Sequence, residues 1–497
     1  MHSLSATLLL LGLLASVLSL LLLRFFRRRR KTCDDNLPPG PRPWPIIGDL
    51  HLFGDYPNPF IAFTALSKKY GTVYRLMMGS TPCIVVNSFE LIREVLITKG
   101  AHFGGRPNFI RFHKLFGGDR NNSLALCDWS SLQKTRRNIA RIYCSPRFAS
   151  TNYDQLSRVG CAETAELIKA IDSRLAAGQH QLGIKPLIQA ACCNMFTQYM
   201  CSTRFDYEDK WFAKTVRNFD EVFWDVNQGY AVDFLPWLLP FYKRHMDQLV
   251  SWTKEVRQFI MTRIIMDRQK NLDHENPKDF TDALLIHLEQ NPDLSWEHVM
   301  YELEDFLGGH AAIGNLTMLV LAAVLKHPEV GDKIRQEVDD VTGGNRDVNL
   351  FDRPQMPYTE AVMLEVLRTS SSPIVPHVAT EDTTIGEYNV AKGTVVFLNN
   401  YELNLGDAHF KQPEKFQPER FVEKGKIKKP QEFIPFSTGK RTCIGHRLVQ
   451  SFCFTLIASL LGRYHISADL STVKTYPACV ALPPDTFDIH FTARQRH

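Results

Sequence analysis

Cys443 stands in the stretch Pro435-Phe436-Ser437-Thr438-Gly439-Lys440-Arg441-Thr442-Cys443-Ile444-Gly445-His446. Such a loop carries a thiolate into the start of a helix. Phe436 is a large apolar ring able to shield a buried metal ligand from water. Gly439 lets the loop turn, and Gly445 lets backbone or a flat ligand come close. Arg441 puts a cation two residues from the sulfur, where it favours the thiolate. The mostly apolar run from His446 to Ile457 predicts a helix whose N-terminal dipole adds to that preference. The bland alternative is a buried cysteine with no role, one of the 11 in the chain.

Other chemistry-bearing residues lie upstream. Trp129 to Ile142 predicts a basic helix with Lys134, Arg136, Arg137 and Arg141. Arg136 shares a face with Leu132 and, more weakly, with Trp129. Trp296 to Lys326 predicts one long helix ending before Pro328. It contains Gly308, Gly309 and Gly314, and each glycine costs roughly 1 kcal/mol inside a helix. Three so close together predict a purpose: a kink or groove for a small gas or a flat ligand, or else a packing crossover. Glu365 and Arg368 stand one turn apart on a helix from Pro357 to Thr369, and Pro418-Glu419-Arg420-Phe421 follows. His377 comes after Pro373-Ile374-Val375-Pro376.

The Phe-x-x-Gly-x-Arg-x-Cys-x-Gly spacing resembles the haem-thiolate loop of the cytochrome P450 family at Phe436, Gly439, Arg441, Cys443 and Gly445. Glu-x-x-Arg followed by Pro-Glu-Arg-Phe resembles that family's structural three-charge cluster, with Arg420 as its third member. The resemblance spans essentially the whole chain. It implies a mostly α fold with a smaller β region, about a dozen helices in a triangular prism plus small sheets, behind an N-terminal transmembrane helix. It also implies haem b (iron protoporphyrin IX) bound through Cys443 as axial ligand. Phe436, Gly439 and Gly445 would shape its seat, while Arg136, His377 and Arg441 would meet its propionates.

Glu304 to Asn315 resembles the spook branch of arthropod members, which act in ecdysteroid synthesis. That implies a sterol substrate, molecular oxygen, and NADPH acting through a cytochrome P450 reductase docked near Lys134, Arg137, Lys440 and Arg447. The pocket is expected to be lined by Phe103 to Phe116, Ile374 to Val375 and the Gly309 to Ile313 turn. Most members carry Ala/Gly-Gly-x-Asp/Glu-Thr in the long helix, an acid and a hydroxyl that feed protons to the reaction. Aligned on Asp305 and Gly308, this chain has Ala312 and Ile313 there, and neither donates a proton. His310, Asn315 and Thr317 are then the catalytic candidates, beside water or the substrate's own hydroxyl. The missing pair also keeps open a haem-thiolate isomerase or dehydratase needing no reductase, and a haem sensor without turnover.

Positioning all this takes a large core, and 497 residues with 44% hydrophobic content supply it. A net charge of +5 and the lack of a basic patch with interleaved aromatics exclude a dedicated nucleic-acid binder. Scattered cysteines fit free thiols in a reducing compartment. Leu4 to Leu23 is a 20-residue run without a charge, followed by Arg24 and by Arg27 to Lys31. It predicts an uncleaved, single-pass endoplasmic-reticulum anchor with the catalytic domain on the cytoplasmic side. The expected division is 1–23 for luminal tip and anchor, 24–45 for the basic stop and Pro-rich hinge, and 46–497 for the catalytic domain. Val73 to Met77 and Cys83 to Asn87 predict a β-hairpin. The apolar loop from Asp233 to Pro240 is expected to cap a pocket or dip into the membrane surface.

Overall fold

The computed structural model describes residues 36–495. The anchor and basic run expected over residues 4–31 lie outside the described residues. The helices that position the site are α1 (Ile110–Leu115), α2 (Ser131–Cys144), α3 (Lys185–Cys201), α4 (Lys210–Val226), α5 (Leu239–Ile260), α6 (Trp296–Lys326), α7 (Pro357–Ser370) and α8 (His446–Arg463).

The spine is α6, with both ends where the sequence places them. Ser295 Oγ accepts the His298 N–H and His298 Nδ1 accepts the Ser295 N–H, a capping box that satisfies two orphan donors. The helix has 31 residues and is apolar enough to cross a membrane, but 78% of its most apolar window is buried inside the protein. Its partners are α3, α4, α5, α7 and α8. Nearly every residue of α3 is buried, which explains a sequence with almost no polar face.

The hairpin forms as β1 (Val73–Met78) and β2 (Thr81–Val86), turning at Gly79-Ser80. β3 (His377–Val378) and β4 (Val395–Leu398) complete a four-stranded sheet in the order β1-β2-β4-β3. β2 and β4 run parallel, and His377 pairs with Val396. The Pro-rich hinge is pinned at its start: Pro39 O accepts the Arg75 N–H at 2.8 Å, and a side chain at Gly40 would meet Arg75 O at 2.3 Å. The loop from Ala231 holds two short 3-10 turns and leaves Trp237 exposed, as is Phe241 in the first turn of α5. The basic helix begins at Ser131 rather than Trp129, because Ser130 Oγ caps the Gln133 N–H.

Candidate active site

Cys443 lies between a short 3-10 turn, Gly439–Arg441, and the start of α8. Its N–H donates to Phe436 O at 2.9 Å, and Thr442 Oγ1 donates to the same carbonyl at 3.3 Å, closing the loop on itself. Gly439 has φ +72° and comes so near Leu96 O that any Cβ would sit 2.1 Å from it, so only glycine fits. Gly445 has an ordinary φ, and the position of a Cβ there has no neighbour within 4 Å. Its lack of a side chain keeps space open beside the sulfur.

Among the described cysteines Cys443 alone is exposed. Protein nevertheless surrounds it so densely that burial is the leading cause pushing its thiol up. Open surface in such a place is the wall of an internal space. The N–H groups of Gly445 and His446 and the Arg137 guanidinium work the other way and favour the thiolate. Arg137 Nη2 also donates to Thr442 O at 2.6 Å. Arg137, not Arg441, is therefore the cation that acts on the sulfur, which corrects the expectation from spacing.

Arg441 reaches the other way, donating to Ala125 O at 3.1 Å and Cys127 O at 2.8 Å. Arg106 donates to Ala125 O, Val375 O and Pro376 O. His377 holds Phe103 O through Nδ1 at 2.7 Å. Arg106, Arg441 and His377 are all buried. Burial and then mutual repulsion hold Arg106 well below its usual range, bring Arg441 down to about 10, and lower His377 strongly. Among the described residues none of Arg106, Arg137 and Arg441 has a carboxylate at ion-pair distance, and Arg441 Nη1 and His377 Nε2 are buried without a partner.

Arg136 does not join this group. It is fully buried, with Nε on Glu302 Oε2 at 2.7 Å and its other nitrogens on the carbonyls of Asn121, Asn122 and His298. Burial pushes Glu302 up to about 7 against the pull of Arg136. Arg136 thus fastens α2 to α6, while its neighbour Arg137, about 100° further round the helix, faces the Cys loop. Spacing alone places Arg137 on the docking face and does not single out Arg106. The one signal for Arg106 was its position between two glycines and Pro107.

On α6 the half-exposed positions Tyr301, Asp305, Gly308 and Ala312 recur at helical spacing and mark one open face. Asp305 accepts from Ser123 Oγ and the Leu124 N–H at 2.6 Å. The Ser123–Cys127 segment thus hangs between α6 and Arg441. Ile313 is fully buried. The motif laid on Gly308-Gly309-His310 puts the acid and hydroxyl positions at Ala311 and Ala312, one residue earlier than expected, and half-exposed Ala312 then borders the open face. α6 runs unbroken through all three glycines. A Cβ on Gly314 would lie 2.2 Å from Gln189 Oε1, so that glycine serves the crossing of α3 over α6.

Two of the three catalytic candidates, His310 and Thr317, point away from the open face. His310 is buried against Phe219, bonded to Leu307 O, and lowered to about 4 by burial, so its ring is neutral at physiological pH. Thr317 Oγ1 turns to Cys453 Sγ on α8. Asn315 is bound to Asp220 on α4. In the expected pocket segment, Phe103 instead packs in the core around the sheet with Ile374. Phe109, Phe112 and Phe116 gather with Val375, Tyr301 and Phe234 into a separate apolar cluster.

Glu365 and Arg368 are both fully buried and joined by two bonds of 2.8 Å, with Arg420 Nε on Glu365 Oε1 at 3.1 Å. The three-charge cluster exists as the spacing suggests.

A profile of the cytochrome P450 family matches residues 38–491. Cytochrome P450 307a1 of Drosophila melanogaster is 50% identical over 92% of this chain and 89% of its own length. Cytochrome P450 1B1 of Mus musculus is 30% identical over 92% and 87%, and farnesoate epoxidase of Bombyx mori 32% over 88% and 89%. The chain belongs to the cytochrome P450 family. It is a monooxygenase whose cofactor is a haem with thiolate-ligated iron, supplied with electrons from NADPH through a reductase. The residues present fit that group. Clustered buried cations without a counter-charge are costly, and the two carboxylates of a haem relieve that cost. The exposed sulfur and the open space at Gly445 suit a flat ligand.

Proposed function

We propose that the protein is a membrane-bound sterol monooxygenase acting early in ecdysteroid synthesis. The single observation that carries the reading is the stretch Glu304–Asn315, which resembles the spook branch and differs from the rest of the family at Ala311-Ala312. Half identity with an insect cytochrome P450 and the apolar cluster of Phe109, Phe112, Phe116 and Val375 support it. The apolar run at residues 4–23 and the exposed Trp237 and Phe241 support attachment to a membrane.

Cys443 would ligate the iron; Arg106, His377 and Arg441 would take the propionates. Bound there, the haem would supply activation of molecular oxygen, with Cys443 as its thiolate ligand. The chain's own residues do the rest. Arg137 and the N–H groups at the start of α8 hold the sulfur as thiolate. Asp305 and Arg441 fix the Ser123–Cys127 wall. The phenylalanine cluster excludes water and orients an apolar substrate. Lys134 and Arg447, exposed near the Cys loop, and half-exposed Lys440 over the Trp129 ring offer a basic surface to the reductase.

Two measurements bear on this. Replacing Arg106, His377 or Arg441 by Leu is expected to weaken haem retention roughly tenfold or more, since a charge-assisted hydrogen bond contributes about 1.5–3 kcal/mol. Arg136→Leu is expected to lower the thermal midpoint instead, leaving the haem seat intact. Equal haem retention in the first three variants would remove them from the site. For the substrate, a sterol with an additional ring double bond is expected to shift the haem absorption band at micromolar concentration and to be oxidised only with NADPH and reductase present. Absence of a shift with every sterol tested sinks the sterol reading. Sterol conversion without the reductase favours an isomerase or dehydratase.

A further inference from the structure

We infer that Asp220 supplies, from the neighbouring helix α4, the buried acid that α6 lacks, and that a solvent cleft between α3 and α4 is the route by which protons reach the pocket. The inference rests on the monooxygenase chemistry of the family and not on the sterol assignment.

Asp220 is 3% exposed and lies against the stretch Ala311–Asn315. Its Oδ1 accepts from Asn315 Nδ2 at 3.0 Å and Gln189 Nε2 at 2.9 Å. The same two amides donate to Ala311 O, at 2.8 and 3.4 Å. A carboxylate is thereby tied to the backbone of the residue that occupies the acid position. Oδ2 takes Lys185 Nζ at 2.7 Å, and Lys185 is itself held by Leu482 O and Pro483 O. The Leu482 N–H donates to Asn315 Oδ1 at 2.8 Å. Gln189 Oε1, on a residue 1% exposed, has no partner and points at Gly314.

This cluster is not sealed. A cleft of about 210 Å³, lined among others by Gln189, Asp220, Ala213 and Arg217, opens from it to solvent. It has room for several waters, and its polar lining gives them partners. The charged groups facing Lys185 are Asp220, Arg217, Glu221 and, across the cleft, Asp485. Burial is the leading cause lowering Lys185, which keeps its proton easier to give up than that of a surface lysine.

Two further facts favour a role beyond packing. A buried ion pair is weak stabilisation compared with apolar residues of the same volume. The groups of α6 itself are also unsuited: Ala311 and Ala312 carry no proton, His310 is neutral and turned to Phe219, and Thr317 faces α8. In each turnover RH, O₂, NADPH and H⁺ give ROH, H₂O and NADP⁺. Protons enter at the cleft, pass by Lys185 and Asp220, and end in the water formed; no electron passes through the cluster. Asp220 acts through water, so it is a positioning residue.

The test uses the full-length, haem-loaded enzyme with its reductase and a small apolar surrogate. Asp220→Asn is expected to lower product formed per NADPH about tenfold or more, within the range of general acid help, and to raise the solvent isotope effect. The substrate-induced spectral shift should not change. Adding Ala311→Asp to that variant puts an acid on α6 and should restore coupling. Should Asp220→Asn fail to fold, Ala213→Phe plugs the cleft mouth from an exposed position and should raise the isotope effect alone. Independently of turnover, the infrared carboxylate band assigned by Asp220→Asn should shift in D₂O, and more slowly in Ala213→Phe. Unchanged coupling and isotope effect in either variant, or a loss confined to thermal stability, overturns the inference. A sterol that fails to bind does not touch it.

Discussion

Cys443→Ala is expected to abolish the long-wavelength absorbance of the reduced carbon monoxide complex and to reduce turnover to background. The argument is one of access and charge. A thiolate, not a thiol, binds metal. Burial pushes Cys127, Cys201 and Cys453 up to about 12 and Cys144 and Cys192 well above the usual thiol range. Among the described cysteines Cys443 alone combines open surface with two backbone N–H groups and Arg137 favouring its anion. The fold should survive, because the loop closes through the backbone of Cys443 and the hydroxyl of Thr442, not through the sulfur. The measurement is the difference spectrum of the purified variant, with circular dichroism as the control for folding. A band that persists would mean another ligand. His446 is the nearest alternative, since its ring lies one helical position from the loop and bonds Cys443 O.

What could be read from the chain, and what could not, divides by sequence distance. The Cys loop, the Glu-x-x-Arg pair and both ends of α6 are local: five positions within ten residues, one helical turn, a serine cap and a proline stop. The seat for the propionates is not local. Arg106 meets Val375 and Arg441 meets Ala125 across 269 and 316 residues. No pattern near Arg106 announces that its neighbours will be other cations. Arg136 and Arg137 are adjacent on a basic helix, and only the docking of α2 decides which one faces Glu302 and which the Cys loop. On α6 the register was legible, since the motif laid on Gly308-Gly309-His310 reaches Ala311 and Ala312, and burial of Ile313 agrees with it. Asp220 carried no signal at all, because its partners Lys185, Gln189 and Asn315 come from two other helices.

Arg368→Ala is expected to yield no haem-loaded protein. Arg368 and Glu365 are both without solvent exposure. Removing the guanidinium leaves Glu365 with Arg420 as its one remaining cation and strips Asn404 O and Lys415 O of a donor. Breaking a buried pair from one side costs about 3–5 kcal/mol, a large part of the roughly 5–15 kcal/mol that holds a domain together. The damage travels toward the site. Glu365 also accepts the Gln417 N–H, and Phe410 lies under both Arg368 and Arg420. Phe410 and Phe421 pack on Phe433, just before the Cys loop. Arg368→Lys keeps a charge but cannot span both carboxylate oxygens, so it should give partial haem loading and a thermal midpoint lowered by several degrees. Expression level, haem per polypeptide and thermal midpoint together read the outcome. Full haem content and an unchanged midpoint in Arg368→Ala would show that the segment before Cys443 is held by its aromatic contacts alone. The three buried charges would then be bystanders.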